Sequence, residues 1–386
     1  MVTGFANLAD ELQQIKQQNL YRSRRIVSSP QGVDIEIDGQ RLINFSSNDY
    51  LGLANHPQVI QSFKKATEDF GVGSGSAHLI CGHSYSHHAL EEELAEFTGR
   101  DRALLFSTGY MANMGVISAL LGRGDQIFQD RLNHASLLDG GLLSGARFKR
   151  YLHNDLSDLD RKIKPIEGRT LIATDGVFSM DGDLASLTEL SVLARDNNAW
   201  LMVDDAHGLG VMGETGAGIL QHTGLTQDDV PILMGTLGKG FGTFGAFVAG
   251  SELLIETLIQ KARTYVFTTA MPAAIAEASR SSLKLLIADN WRREKLNTLV
   301  QYFRVGASQL GLPLMNSHTA IQPLLIGDSQ RTVEISAALL GKGFLVSAIR
   351  PPTVAKGQAR LRITFSANHH QQQIDQLLDA LDSLSI

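Results

Sequence analysis

The sequence predicts an α/β protein, with a large domain on a mostly parallel sheet wrapped by helices and a smaller α+β domain after it. Short apolar, β-branched runs alternate with helical patterns through the middle of the chain, the grammar of a buried parallel sheet. After about Arg280 that alternation gives way to a long charged helix, short strands and a final helix. A chain of 386 residues also exceeds the roughly 250–300 at which a single core stops growing. Residues 1–49 are accordingly read as an N-terminal helix and arm associated with the small domain, 50–284 as the large domain, and 285–386 as the small C-terminal domain.

In order, "MVTGFANLADELQQIKQQNL" reads as an amphipathic helix, with acids and glutamines where a secretory signal needs an unbroken apolar run. Ala103 to Gly122 carries no charge over about the 20 residues that span a bilayer. Glycines with Ser107, Thr108 and Asn113 break it, so it is divided into a strand (103–106), a turn (107–110) and a helix. Strand-like runs follow in "DQIFQD", "ARFKRYLH", "RTLIATDGVFS", "AWLMVDDAHG", "VPILMGTLGK" and "GAFVAG", with "SLTELSVLARDNNA" as an intervening helix. The tail supplies "NWRREKLNTLVQYFRVGASQLG" and "HHQQQIDQLLDALDSL" as helices. Ligands of such sheets bind at the carboxyl ends of the strands, which selects the loops "STGY", "DGVFSMDGD", "DDAHG" and "TLGKGFG".

Composition narrows the function classes. Hydrophobic residues at 43% and charged residues at 19% indicate a globular chain. A net charge of −6 gives no basic surplus for nucleic acid, and the run of Arg22, Arg24 and Arg25 is short. A single cysteine, Cys81, rules out an internal disulfide framework and suits a reducing, cytoplasmic setting. No membrane attachment is expected.

Three familiar motifs compete for the loops. "GLGVMG" (208–213) satisfies G-x-G-x-x-G, but Asp204, Asp205 and His207 intervene between the strand and its first glycine, where a dinucleotide site needs the glycines in the strand-to-helix turn. "LMGTLGKG" fails the phosphate-loop pattern at both ends, with Leu233 first and Gly240 last. On a helix, "HSYSHHALEEE" would align His83, His87 and Glu91 as three zinc ligands, yet polar groups at that spacing also mark any helix edge. A structural or substrate-facing role is expected for these histidines, and no metal.

What joins a strand-end aspartate (Asp204), a histidine three residues on (His207) and a glycine-flanked lysine (Lys239)? Pyridoxal 5'-phosphate requires these parts. Its ring nitrogen is held protonated by a carboxylate, its aldehyde forms a Schiff base with lysine, and its phosphate suits a helix N-terminus such as the one "STGY" opens. Glycines beside the lysine would let the backbone approach the cofactor. Taken singly, Asp204 reads as a strand-end cap, His207 as a turn histidine and Lys239 as a loop cation. Their spacing at consecutive strand ends favours the joint reading.

"FSSNDYLGL", "HNDL", "DGVFSMDGD", "WLMVDDAHGLGVMGETG", "TLGKGFG" and "IRPPTVAKGQARLRITFSA" resemble the α-oxoamine synthases, pyridoxal-phosphate enzymes of fold type I, from about Tyr21 to the C-terminus. "IRPPTV" and "FSSNDYLGL" are most similar to the biotin-pathway member, an acyltransferase that condenses L-alanine with a pimeloyl thioester. The resemblance implies that Lys239 forms the Schiff base, Asp204 pairs with the pyridinium nitrogen, and His207 with Ser179 bonds the ring hydroxyl. It implies that His134 stacks on the ring, that Gly109, Tyr110 and Thr236 hold the phosphate, and that Thr268 or Thr269 completes that site from a neighbouring subunit. Asn48 and Arg362 match positions that meet the amino-acid carboxylate, and Thr353 and Arg22 those near the acyl group. A homodimer with its active site at the subunit interface follows from the resemblance, with coenzyme A or an acyl carrier protein bearing the acyl chain.

The sequence departs from the family pattern where Ser76 replaces a glycine of the "GSGSAHLICG" loop and His78 follows, where Asp175 replaces a glutamate, and where Ala355 replaces a proline. Two other activities remain open at this level. One is a glycine-using relative such as a 2-amino-3-ketobutyrate CoA ligase, separable by comparing alanine with glycine. The other is a nicotinamide-dependent oxidoreductase built on "GLGVMG", which predicts nucleotide binding and no lysine-linked chromophore. A non-catalytic binding protein would have no use for the lysine, aspartate and histidine together.

Overall fold

The computed structural model describes residues 7–18, 20–384 and 386. In chain order its strands are β1 (Asp34–Ile37), β2 (Gln40–Asn44), β3 (Arg102–Phe106), β4 (Gln126–Asp130), β5 (Arg147–Tyr151), β6 (Thr170–Asp175), β7 (Trp200–Asp204), β8 (Ile232–Thr236), β9 (Ala246–Gly250), β10 (Ile321–Gly327), β11 (Phe344–Leu345), β12 (Ser347–Ile349) and β13 (Ala359–Thr364). They form a seven-stranded sheet and two three-stranded sheets. The chain divides into one unit of Met1–Ser47, Met180–Gly182 and Leu296–Ile386, and another of Asn48–Ser179 and Asp183–Lys295.

The second unit holds the seven-stranded sheet, in the order β3-β9-β8-β7-β6-β4-β5. Six strands run parallel and β9 runs against both neighbours. Every residue of β4 and β9 is buried; β9 reads as an apolar run without alternation, as a sheet covered on both faces requires, whereas β4 buries Gln126, Gln129 and Asp130 beside Ile127 and Phe128. Burial pattern is the same for a strand in either direction, which is why "GAFVAG" announced a strand but not its reversal.

The uncharged stretch from Ala103 to Gly122 resolves into β3 and a helix, Gly109–Leu120. Thr108 ends the turn between them, and its side chain accepts from Met111 N at 3.2 Å. The helix is apolar on almost every side because it is enclosed: Ala112, Val116 and Ile117 are fully buried with Leu104, Ile127 and Val248 in one cluster. Burying each of the two branched residues contributes about 1.5–3 kcal/mol. Among the described residues no helix is long and apolar enough to cross a membrane.

The first unit holds β1-β2-β11 and β10-β13-β12. The β1–β2 hairpin turns at Asp38 and Gly39, both at positive φ, and packs Ile35, Ile37 and Leu42 together. The N-terminal helix is Leu8–Gln17 and buries none of its residues, while the C-terminal helix, Gln371–Asp382, buries Ile374, Leu377 and Leu381. The long charged helix spans Asn290–Gln309.

Candidate active site

Register places the site. β6, β7 and β8 run side by side with Asp175 opposite Asp204, both at carboxyl ends, and Asp204 opposite Met234, two residues before the end of β8. The loops beyond these ends, with the N-terminus of helix Gly109–Leu120, enclose a pocket of about 190 Å³. Gly109, Tyr110, His134, Ser179, Asp204, His207, Thr236 and Lys239 all line it, joined by Asn113, Ser136, Asp175, Ala206 and Met234.

Asp204 is buried, and its oxygens accept from neutral donors: Oδ2 from Asn113 Nδ2 at 2.7 Å and Oδ1 from Ala206 N at 3.0 Å. Asn113 reaches it from the helix interior and also donates to Ser136 Oγ at 2.8 Å. A carboxylate so placed calls for a cation, since a buried charge costs free energy unless paired. Lys239 supplies one side of the pocket; its Nζ lies 3.0 Å from His207 Nε2, and His207 Nδ1 lies 2.7 Å from the Tyr50 hydroxyl.

His134 caps helix Ala135–Leu143: its Nδ1 accepts from Ser136 N at 3.3 Å and its own N–H donates to Asp175 Oδ2 at 2.8 Å. Burial holds its imidazole below the usual range and Lys239 pushes the same way, against the pull of Asp204. Burial, then the neighbouring Asp204, pushes the Asp175 carboxyl well above the carboxylate range. Tyr110 hydrogen-bonds Asp139 and sets its ring edge-on to His134, with centroids 6.2 Å apart. At the helix end, the N–H groups of Gly109 and Tyr110 have no intrahelical acceptor by geometry, and Thr236 donates to Gly245 O at 3.1 Å beside them.

Of the two glycines flanking Lys239, only Gly240 is demanded by packing within the chain. A Cβ on Gly238 would meet nothing closer than 3.7 Å, whereas one on Gly240 would fall 2.5 Å from Leu209 O. The bare backbone lets the lysine loop lie against the loop after β7. "GLGVMG" likewise forms successive turns around the Asp205 carboxylate, which accepts from Ile219 N at 2.7 Å. A Cβ on Gly218, at φ +95°, would lie 1.9 Å from Asp205 Oδ2. Gly208 of the motif and Gly218 beyond it lie against this buried acid, whose carboxyl burial pushes well above its usual range, and the turns of 208–213 do not open a helix toward a nucleotide.

Asn48, Thr268 and Thr269 belong to the same unit but are not among the lining residues. Asn48 Oδ1 accepts from Tyr50 OH at 3.1 Å, and Thr269 pairs with Ala77 in an isolated β-bridge. Arg22, Thr353 and Arg362 lie in the other unit, Arg22 and Thr353 exposed and Arg362 buried on β13. Tyr50, Asn113, Ser136 and Asp175 were not singled out as site residues by sequence. Tyr50 stood in a quoted motif, but nothing in the spacing linked it to a histidine 157 residues away. Asn113, a polar residue inside an apolar helix, was the one available signal.

The zinc alignment fails because helix Tyr85–Thr98 begins after His83. His87 instead makes a capping box with Ser84 and sets Nε2 2.7 Å from Met271 O, a structural role.

A family model for aminotransferases of classes I and II matches residues 40–381. An 8-amino-7-oxononanoate synthase of Saccharophagus degradans is 61% identical over 379 residues, covering 97% of this chain and 96% of that protein. A solved 8-amino-7-oxononanoate synthase from Francisella tularensis is similar at TM-score 0.78 and 32% identity, over 89% of this chain and 97% of that one. A serine palmitoyltransferase variant from S. paucimobilis, solved with a PLP adduct, is similar at TM-score 0.93 and 30% identity, over 100% and 98%.

Proposed function

We propose that this chain, which belongs to the class I and II aminotransferase family, is a pyridoxal-phosphate-dependent acyltransferase of the 8-amino-7-oxononanoate synthase type. It joins the α-carbon of L-alanine to the acyl carbon of a pimeloyl thioester, releasing the thiol and carbon dioxide. The supporting observation is the convergence of Lys239 Nζ, the buried Asp204 carboxylate and a helix N-terminus on one pocket, in a chain about 61% identical to relatives of that name.

The residues present fit the cofactor. Asp204, held by Asn113 and Ala206 but given no positive partner by them, suits a protonated ring nitrogen. Gly109 and Tyr110 N–H groups with Thr236 suit the phosphate, helped by the positive end of the helix. Lys239 would hold the aldehyde end, with His207 and Ser179 placed for the ring hydroxyl. When bound, the cofactor supplies an electron-withdrawing ring that stabilises carbanion character at the alanine α-carbon.

The chain's own groups then handle protons and position. Lys239 Nζ, oriented by His207 Nε2, takes and returns the α-proton. His134 accepts at Nδ1 from Ser136 N, so its proton is assigned to Nε2, a donor suited to the thioester carbonyl where negative charge develops. Asn48 and Arg362 are assigned to the alanine carboxylate, Arg22 and Thr353 to the acyl substrate, and Thr268 or Thr269 to the phosphate site of a partner subunit. A homodimer and a cytoplasmic setting, suited to a chain with one cysteine, complete this reading.

The test is thiol release by the cofactor-loaded protein given pimeloyl-CoA with L-alanine, beside glycine with acetyl-CoA. Release that requires alanine and pimeloyl-CoA supports the proposal. Release only with glycine and the short donor overturns it in favour of a sister activity, and silence in both assigns the acyl group to a carrier protein or to another chain.

A further inference from the structure

Beyond the pocket, the loop from His78 and the first turns of helix Tyr85–Thr98 gather four histidines and a partly buried glutamate, Glu91. Two groups of side chains there bring possible ligand atoms within 4.8 Å of one another: His78, His83 and His87, and separately His83, His88 and Glu91. The first group is already spent. His87 Nδ1 accepts from Ser84 N at 3.0 Å, and its Nε2 faces Met271 O.

The second group is differently disposed. His83 turns Nδ1 to His78 Nδ1 at 3.0 Å and Nε2 to Glu91 Oε2 at 4.0 Å. His83 and His88 rings meet nearly at right angles with centroids 5.9 Å apart. Two imidazoles sharing one zinc ion through nitrogens at about 2.1 Å place their centroids roughly 5–6 Å apart and their ligand atoms about 3.4 Å apart. Small rotations of the exposed His88 would therefore close the set. Glu91 is 13% exposed; its Oε1 accepts from Leu105 N at 2.9 Å, which leaves Oε2 toward His83.

The geometry points to a binding site for one borderline divalent transition ion, Zn²⁺ or a close analogue, held by His83 Nε2, His88 and Glu91. The ion would give the partly buried Glu91 carboxylate, whose other oxygen is held by Leu105 N, a directly bound cation. Outer partners are in place: His78 Nδ1 meets the second nitrogen of His83, and His78 is itself stacked on Tyr265 at 5.0 Å. Glu92, 3.3 Å from His88 Nε2, borders the open side where a fourth ligand or water completes a tetrahedron. The chemistry is that of N/O ligation, which zinc accepts and magnesium does not favour.

The experiment is a competition titration of Zn²⁺ between the full-length, cofactor-loaded protein and a chromophoric chelator. One ion should bind per chain in the wild type, and His88→Gln should weaken it about tenfold or more. Glu91→Gln should do the same, and Cys81→Ser should bind like the wild type. His88 is exposed and absent from the first histidine group, so its variant folds and separates the two groups. No binding by the wild type at about 100 μM free ion, well above any specific affinity of this ligand set, or undiminished binding by His88→Gln, overturns the site. Loss of binding in Cys81→Ser would overturn it in favour of a thiolate.

Discussion

Lys239 Nζ lies 3.0 Å from His207 Nε2, and that contact fixes the polarity of a longer chain of hydrogen bonds. With the lysine donating, His207 carries its proton on Nδ1 and donates to the Tyr50 oxygen at 2.7 Å; Tyr50 OH in turn donates to Asn48 Oδ1 at 3.1 Å. Each group has the role its neighbour requires, so the lysine is aimed by residues from two other segments of the chain.

Tyr50→Phe keeps the ring in its buried place and removes one acceptor from that chain. The expected result is a kcat about tenfold lower, near 1.4 kcal/mol, with little change in KM for alanine. Equal kcat in steady-state kinetics would show that the chain does not aim the amine.

Lys239→Ala should lower thiol release by on the order of 10³-fold or more. In the wild type, borohydride treatment should fix the cofactor-derived mass on the peptide that contains Lys239. Mapping of that mass to any other lysine would displace the assignment.

Asp204→Asn removes the charge while retaining an oxygen for Ala206 N. Turnover should fall about 10³-fold, roughly 4 kcal/mol, with borohydride labelling of Lys239 preserved. Unchanged turnover would mean that the ring nitrogen needs no carboxylate here.

His153 makes a pH prediction for stability. Burial alone would depress its imidazole, but hydrogen bonds to Asp130 and Asp183 carry it from 6.5 up to about 10. The contacts are 3.1 Å to Asp130 Oδ1 and 2.8 Å to Asp183 Oδ2. A folded-state value above the unfolded one means that the stabilisation is complete below about pH 6.5 and is lost as pH rises toward about 10. Urea midpoints of the cofactor-loaded protein should therefore fall across that window more steeply than those of His153→Asn. Parallel slopes would remove His153 from the account.

The sequence by itself determined the elements and the main chemical parts. Burial on both sheet faces writes itself as apolar runs, as in β3, β6, β7, β8 and β9, and Asp204, His207 and Lys239 lie at or beyond the ends of two consecutive strands, β7 and β8, in the parallel part of the sheet. The family motifs extended that reading to Gly109, Ser179 and Thr236, which do line the pocket. Tertiary structure alone decided that β9 runs antiparallel, because burial carries no direction. It decided that Asn113 and Tyr50 reach Asp204 and His207, because contacts across 91 and 157 residues depend on strand order. It also gave His87 to a helix cap and brought His83 toward His88 and Glu91, because a helix that begins at Tyr85, two residues after His83, leaves that side chain off its face.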